Sequence, residues 1–270
     1  MTAHPFDEAT ALEPLGDGVF RGRTHPAYWN MAGPFGGATA ALMLKAVMEH
    51  PARRGRPVAQ TVNFCAAIGE GEFEIRAVPV RDGKSTQHWS VEMVQNGQVV
   101  TTATAVTGAE RDTWAHQSAA APSFPPAGEV SEVETAGRMP WFGRYEFRMV
   151  EGRTPFDPPP QGGLGSAASK LWLRDSPARP LDYVSLAALA DTFLVRILLV
   201  RGAFAPVATV SLSTYFLADS QALAAQGDRR MLALADARAF RHGFADQSAE
   251  LWSDDGALLA VSHQVTWFKE

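Results

Sequence analysis

Asp191 stands where a carboxylate is hard to keep. It lies inside the apolar run 185–200, and its neighbours one helical turn away are Ala187, Ala188, Leu194 and Val195. A charged group on such a face is costly to bury unless hydrogen-bond donors meet it, and desolvation raises its pKa. That is the profile of a general base, although an interior Asp can also serve only to pair an Arg or to cap a neighbouring backbone group. Two more polar side chains follow it in the same half of the chain. Thr209 begins the strand after the apolar run, and Gln264 sits near the end of the last strand. Taken singly, the first is an ordinary strand residue and the second an ordinary cross-sheet hydrogen bonder.

The elements that must position these residues occur twice. The apolar run 36–49 leads to Thr61-Val62-Asn63-Phe64 and then to a hairpin at Asn96-Gly97; the run 185–200 leads to Thr209-Val210-Ser211-Leu212 and a hairpin at Asp255-Gly256. The hairpins match in detail, since Ser90-Val91-Glu92-Met93 corresponds to Ser248-Ala249-Glu250-Leu251. Such self-similarity implies a duplicated domain, an internal pseudo-dimer. Aligned this way, Asp191 falls near Met43, Thr209 on Thr61 and Gln264 on Ala105, so only the second copy holds the full polar set.

In the first copy, strands are predicted over 16–22, 58–67, 71–80, 85–95 and 99–106, with one helix over 36–49. That helix is apolar on nearly every side and should be enclosed. Asn96-Gly97 suits the positive dihedrals of a type I′ turn. In the second copy, strands are predicted over 144–150, 167–173, 207–216, 231–240, 245–252 and 258–267, with a helix over 182–200. The stretch 110–137, rich in Ala, Ser, Pro and Glu, reads as a linker. The expected division is therefore 1–109, 110–137 and 138–270, and the expected fold is α+β, two antiparallel sheets each wrapping a long apolar helix.

Bulk properties narrow the function classes. The 270 residues are 46% hydrophobic and 20% charged, with a formal charge of −5. This is the make-up of a globular protein, and scattered Lys and Arg outnumbered by Asp and Glu speak against a nucleic-acid partner. Apolar runs such as 186–200 are broken by Asp191 and Arg196 and are too short for a bilayer, so no membrane partner is expected. Residues 1–10 lack the apolar core of a secretory signal, and the lone Cys65 cannot form an intrachain disulfide; a reducing, cytoplasmic setting is expected. Cys65 is expected to be a small buried hydrophobe. No Cys/His spacing of the zinc type occurs, so no metal is expected. The histidines are scattered, and His263 should point away from Gln264, because adjacent strand residues face opposite sides. Ser166 and Ser169 lack a nucleophile-elbow pattern.

A sheet wrapping one long apolar helix, made twice and joined by a linker, is the arrangement called a double hotdog. With it the chain resembles the acyl-CoA thioesterase II and thioesterase-like superfamily. The resemblance rests on Gly36-Gly37 opening the first helix, Leu189-Ala190-Asp191, Ala208-Thr209-Val210 and the terminal Ser262-His263-Gln264, in this order across both repeats. It implies that an aspartate, a threonine and a glutamine, here Asp191, Thr209 and Gln264, hold and activate a hydrolytic water. Thioester hydrolysis also needs donors for an oxyanion. The backbone of Gly36, Gly37 and Ala38 at a helix N-terminus is the candidate, which would place base and oxyanion site on different copies. The same glycines could form only a tight turn, and they do not match a dinucleotide fingerprint. Trp29 and Phe35, close to that turn, are candidates to line an acyl tunnel. The implied substrate is an acyl-CoA, with no cofactor besides the coenzyme A that it carries, and a homo-oligomer is expected from the resemblance alone. Two other readings stand beside it. A non-catalytic acyl-CoA or lipid binder would not need all three polar residues; an enoyl-CoA hydratase would be expected to carry a His soon after its Asp, and none follows Asp191.

Overall fold

In a computed structural model, which describes residues 3–269, the chain folds as the repeat predicts. A short helix α1 (Pro5–Ala9) precedes β1 (Glu13–Gly16) and β2 (Val19–Arg23). The apolar helix α2 (Gly36–Met48) follows, then β3 (Arg56–Phe64), β4 (Glu72–Asp82), β5 (Thr86–Gln95) and β6 (Gln98–Gly108). The second copy comprises β7 (Tyr145–Glu151), β8 (Ser169–Asp175), α3 (Tyr183–Leu189), α4 (Arg196–Arg201) and β9 (Val207–Phe216). It ends with α5 (Ser220–Gln226), β10 (Met231–Asp236), β11 (Phe240–Arg241), β12 (Phe244–Trp252) and β13 (Leu258–Phe268). Among the described residues, no helix is long and apolar enough to cross a membrane.

Every strand pair is antiparallel, and the two half-sheets meet edge to edge where β3 pairs with β9, from Ala59 opposite Tyr215 to Asn63 opposite Ser211. The strand order is β1-β2-β4-β5-β6-β3-β9-β13-β12-β10-β8-β7, with β11 on β12. Strand character follows from alternation: on β5, Gln87, Trp89, Val91, Met93 and Gln95 are buried while Thr86, His88, Ser90 and Glu92 face solvent. Asn96 and Gly97 both take positive φ, 52° and 76°, as a type I′ turn requires. The enclosed helix α2 is buried from Gly37 to Leu44, and Gln60 on β3 donates its side-chain amide to the Ala40 carbonyl at 3.0 Å.

Two bulges refine how the copies superpose. On β9, Thr209 pairs with Thr266 and Ser211 with Val265, so Val210 is an extra residue turned to solvent. On β3, Pro57 pairs with Thr107 and Ala59 with Val106, leaving Val58 in the same position. The structural counterpart of Thr209 is therefore Pro57, and Thr61 corresponds to Ser213; the alignment of Thr209 with Thr61 is corrected. The bulge has a purpose for the site, because an extra residue reverses which side chains face inward. It turns Thr209 to the side of Leu212 and Thr214.

Three further expectations fail. The second helix is not continuous over 182–200: α3 stops at Leu189, and 190–195 is irregular before α4 begins. No Gly or Pro lies in that stretch, so the break comes from tertiary contacts described below. Cys65 is exposed rather than buried. The N–H groups of Cys65 and Ala66 both donate to the Val100 carbonyl, at 2.9 and 3.0 Å, which breaks the strand alternation and turns the thiol outward. β10 also ends at Asp236, short of the predicted 240.

Candidate active site

The break between α3 and α4 places Asp191 two residues beyond the end of α3, facing the N-terminus of α2. Its Oδ1 accepts the side-chain N–H of Gln264 at 3.2 Å, and Gln264 Oε1 in turn accepts the hydroxyl of Thr209 at 3.0 Å. The three predicted residues thus form one chain of hydrogen bonds, Thr209 to Gln264 to Asp191. Gln264 is buried on β13, while its neighbour His263 is exposed on the other face, as the alternation requires.

The N–H of Gly37 also lies toward the Asp191 carboxylate and favours its charged form. Phe35 provides no side-chain cap for α2, so a carboxylate from the other copy meets the positive end of this helix. The approach is tight. A Cβ added to Gly36 would lie 2.7 Å from Asp191 Oδ2, and one added to Gly37 would lie 2.5 Å from the Ala188 carbonyl oxygen. Glycine is needed at both positions so that the two helices can touch.

Burial dominates the electrostatics of Asp191. Loss of hydration pushes its pKa from the ordinary 3.8 up to about 7, against the opposing pull of the Gln264 and Gly37 donors. A carboxyl that titrates near neutrality is suited to take and return a proton. Asp175 on β8 is likewise raised to about 7 by burial, near Tyr28 and Tyr145. Sequence reading missed it, because alternation marks an inward position without saying whether a partner awaits.

Beside Asp191 opens a cavity of about 450 Å³ whose wall includes Gly36, Thr209 and Gln264. The rest of the lining is mainly apolar, with Phe35, Phe64, Trp141, Phe193, Leu194 and Ile68 among it. Phe35 lies in the wall; Trp29 does not, and its carbonyl instead accepts the backbone N–H of Trp141. Trp141 supplies the aromatic surface in its stead, stacked on Phe35 with ring centroids 4.2 Å apart and planes 3° from parallel. Proximity in sequence suggested Trp29, whereas the fold brings the second copy's Trp141 to the glycine turn. Ala38 does not line the cavity and packs into the core of the second copy. Among the described residues, no group of three or more His, Cys, Asp or Glu side chains could hold a metal ion.

The first copy holds no equivalent polar set of its own. Pro57 stands for Thr209 and Ala105 for Gln264, and α2 continues unbroken past the position of Asp191, near Met43 and Leu44.

Comparison with known proteins bears on the fold and the family. Among curated proteins none matches the sequence. A conserved protein of unknown function with a hot dog fold from Alicyclobacillus acidocaldarius is 45% identical, with a TM-score of 0.94 over 100% of this chain and 99% of that one. The acyl-CoA thioesterase II TesB2 of Mycobacterium marinum is 20% identical with a TM-score of 0.76, each chain covered over 98%, and shows the shared fold. The tesB protein of Mycobacterium avium subspecies paratuberculosis is similar to the same degree, at 16% identity, a TM-score of 0.79 and 98% of each chain. Residues 25–108 match the acyl-CoA thioesterase N-terminal domain and residues 110–268 the acyl-CoA thioesterase C-terminal domain. With both domains present in order, this chain belongs to the acyl-CoA thioesterase family of double-hotdog proteins.

Proposed function

We propose that the protein hydrolyses an acyl-CoA thioester to the free acid and coenzyme A, with Asp191 as the base and water as the nucleophile. The observation that carries this reading is the Thr209–Gln264–Asp191 chain of hydrogen bonds set in the wall of an apolar cavity, at the N-terminus of a helix. The acyl group occupies the cavity, and its thioester carbonyl lies against the first turn of α2. A water held by Asp191 and Thr209 gives its proton to the carboxylate as its oxygen attacks the carbonyl carbon. Gln264 fixes the carboxylate in place.

Negative charge then grows on the carbonyl oxygen, near the amides of Gly36, Gly37 and Ala38. In the resting site the Gly37 N–H lies toward the Asp191 carboxylate. Protonation of Asp191 weakens that attraction, so the donor becomes available as the oxyanion forms. When the C–S bond breaks, the thiolate leaves as coenzyme A and takes the proton held by Asp191. Base and oxyanion donors come from different copies, so neither half is an enzyme alone.

The test is release of free thiol from short, medium, long and aromatic acyl-CoAs by wild-type protein and by Asp191→Asn. Turnover of some acyl group, reduced about 10²- to 10⁴-fold in the variant, is the expected result. Binding of acyl-CoA without turnover by either protein would instead make this a carrier.

A further inference from the structure

Two glutamines hold the segment 190–195 from opposite ends. Gln264 on β13 and Gln247 on β12 are directly opposite in register, and both are buried. Gln264 takes Asp191 at the start of the segment. Gln247 takes its end: its side-chain N–H donates to the Phe193 carbonyl at 3.2 Å, and its Oε1 accepts the backbone N–H of Arg196 at 3.3 Å. Arg196 then folds back, donating Nε to the Leu194 carbonyl at 2.8 Å and Nη1 to the Ser169 hydroxyl at 2.6 Å. The carbonyls of Phe193 and Leu194, which a continuous helix would satisfy internally, are thus met by side chains. A buried carbonyl left without a donor is costly, so these bonds hold the segment in its broken form.

Between the anchors lie Phe193, Leu194 and Val195, which form one side of the cavity. The first copy provides an internal control. Trp89 stands opposite Ala105 where Gln247 stands opposite Gln264, and there α2 runs unbroken from Gly36 to Met48. The Trp89 ring NH bonds Thr107 instead and reaches no helix carbonyl.

We propose that Gln247, assisted by Arg196, is a positioning residue that fixes the wall formed by Phe193, Leu194 and Val195 and thereby sets which acyl groups the site accepts. It acts through that wall and does not touch the reacting atoms. The inference rests on reading the cavity as an acyl-CoA hydrolase site, so its test has one readout that does not depend on turnover.

Gln247→Met keeps the size of the side chain and removes both hydrogen bonds. Amide exchange over 192–196 should then speed up by about tenfold while β12 and β13 stay protected, the effect of leaving one or two buried carbonyls and N–H groups unpaired. The ratio of kcat/KM for long over short acyl-CoAs should shift by about tenfold, chiefly through KM, since the wall contacts the acyl chain in ground state and transition state alike. A residue that merely stabilises the fold would lower all acyl-CoAs together and leave local exchange in step with global unfolding. That result would overturn the proposal. Arg196→Lys keeps a long amine-tipped side chain but loses the planar Nε donor to Leu194, and should shift both readouts in the same direction by less; it decides the matter if Gln247→Met does not fold. If the wild-type protein cleaves no thioester, the hydrolase reading fails by itself, and exchange over 192–196 still decides whether Gln247 holds the wall.

Discussion

As the proposed base, Asp191 would link activity and stability to the same proton. If it is the base, kcat/KM rises with pH through an apparent pKa near the value of about 7 that burial gives it, then levels off. In Asp191→Asn that inflection should vanish together with most of the rate, as a pH–rate series would show. The stability consequence has the opposite sign. Folded Asp191 holds its proton up to about 7, whereas an unfolded aspartate loses it near 3.8. Between those values the native state binds more protons, so stability is full below the lower value and declines as pH rises through the higher one. Asp191→Asn should therefore melt at a higher temperature than wild type at pH 8 and lose that advantage at pH 4, measured by calorimetry at both pH values. Part of the decline should persist in the variant, because Asp175 is raised to about 7 by its own burial. Glu146, drawn down to about 2 by bonds from Arg230, Arg148 and Arg174, acts in the other direction and only in acid, where its stabilisation is lost below the ordinary carboxylate range.

Among the elements, the contact between α2 and the end of α3 decides whether the site forms. Gly36→Ala would drive a methyl to 2.7 Å from Asp191 Oδ2, so the carboxylate must move away from where the proposed mechanism has it activate a water. A displacement of about 1 Å in a catalytic group can cost about 10²-fold, and kcat should fall by roughly that much while the far-ultraviolet dichroism stays as in wild type. An unchanged kcat would show that Asp191 does not work from this position. The same contact explains which parts of the structure are legible in the sequence. Strands such as β5 declare themselves through alternation, and Asn96-Gly97 through its dihedral needs, because both signals are local. The polar set was legible for a related reason: Asp191 and Gln264 interrupt apolar patterns that the first copy leaves intact. The break after Leu189 was not legible, since 190–195 contains no helix breaker and the interruption is imposed by Gly37, Gln264 and Gln247 from other elements. Trp141 was hidden likewise, because it reaches the glycine turn from far along the chain. Bulges at Val58 and Val210 shift facing by one residue without any mark in composition, which is why Thr61 looked like the partner of Thr209.

At the scale of the molecule, the two copies are not two independent folding units. Leu212 belongs to β9 in the second copy, yet its side chain packs in the first copy's core with Val62, Met43 and Val91. In return, Phe35, Ala38, Ala41 and Leu44 of the first copy pack in the second copy's core with Leu186, Ala187 and Ala188. Each core is thus completed by the other half, and β3 and β9 join the sheets along five residue pairs. Cooperativity follows from this exchange, because unfolding either half exposes apolar surface in both. Leu212→Ala should cost about 2–5 kcal/mol, the usual range for a buried leucine truncated where the surroundings cannot fully collapse. Were the halves independent, the loss would appear in one of two separate denaturant transitions. With interlocked cores, wild type and variant should each unfold in a single transition that coincides by tryptophan fluorescence and far-ultraviolet dichroism, with only the midpoint lowered. That cooperativity would also serve the proposed chemistry, since the proposed base and oxyanion donors lie on opposite sides of the junction and keep their spacing only while both halves stay folded together.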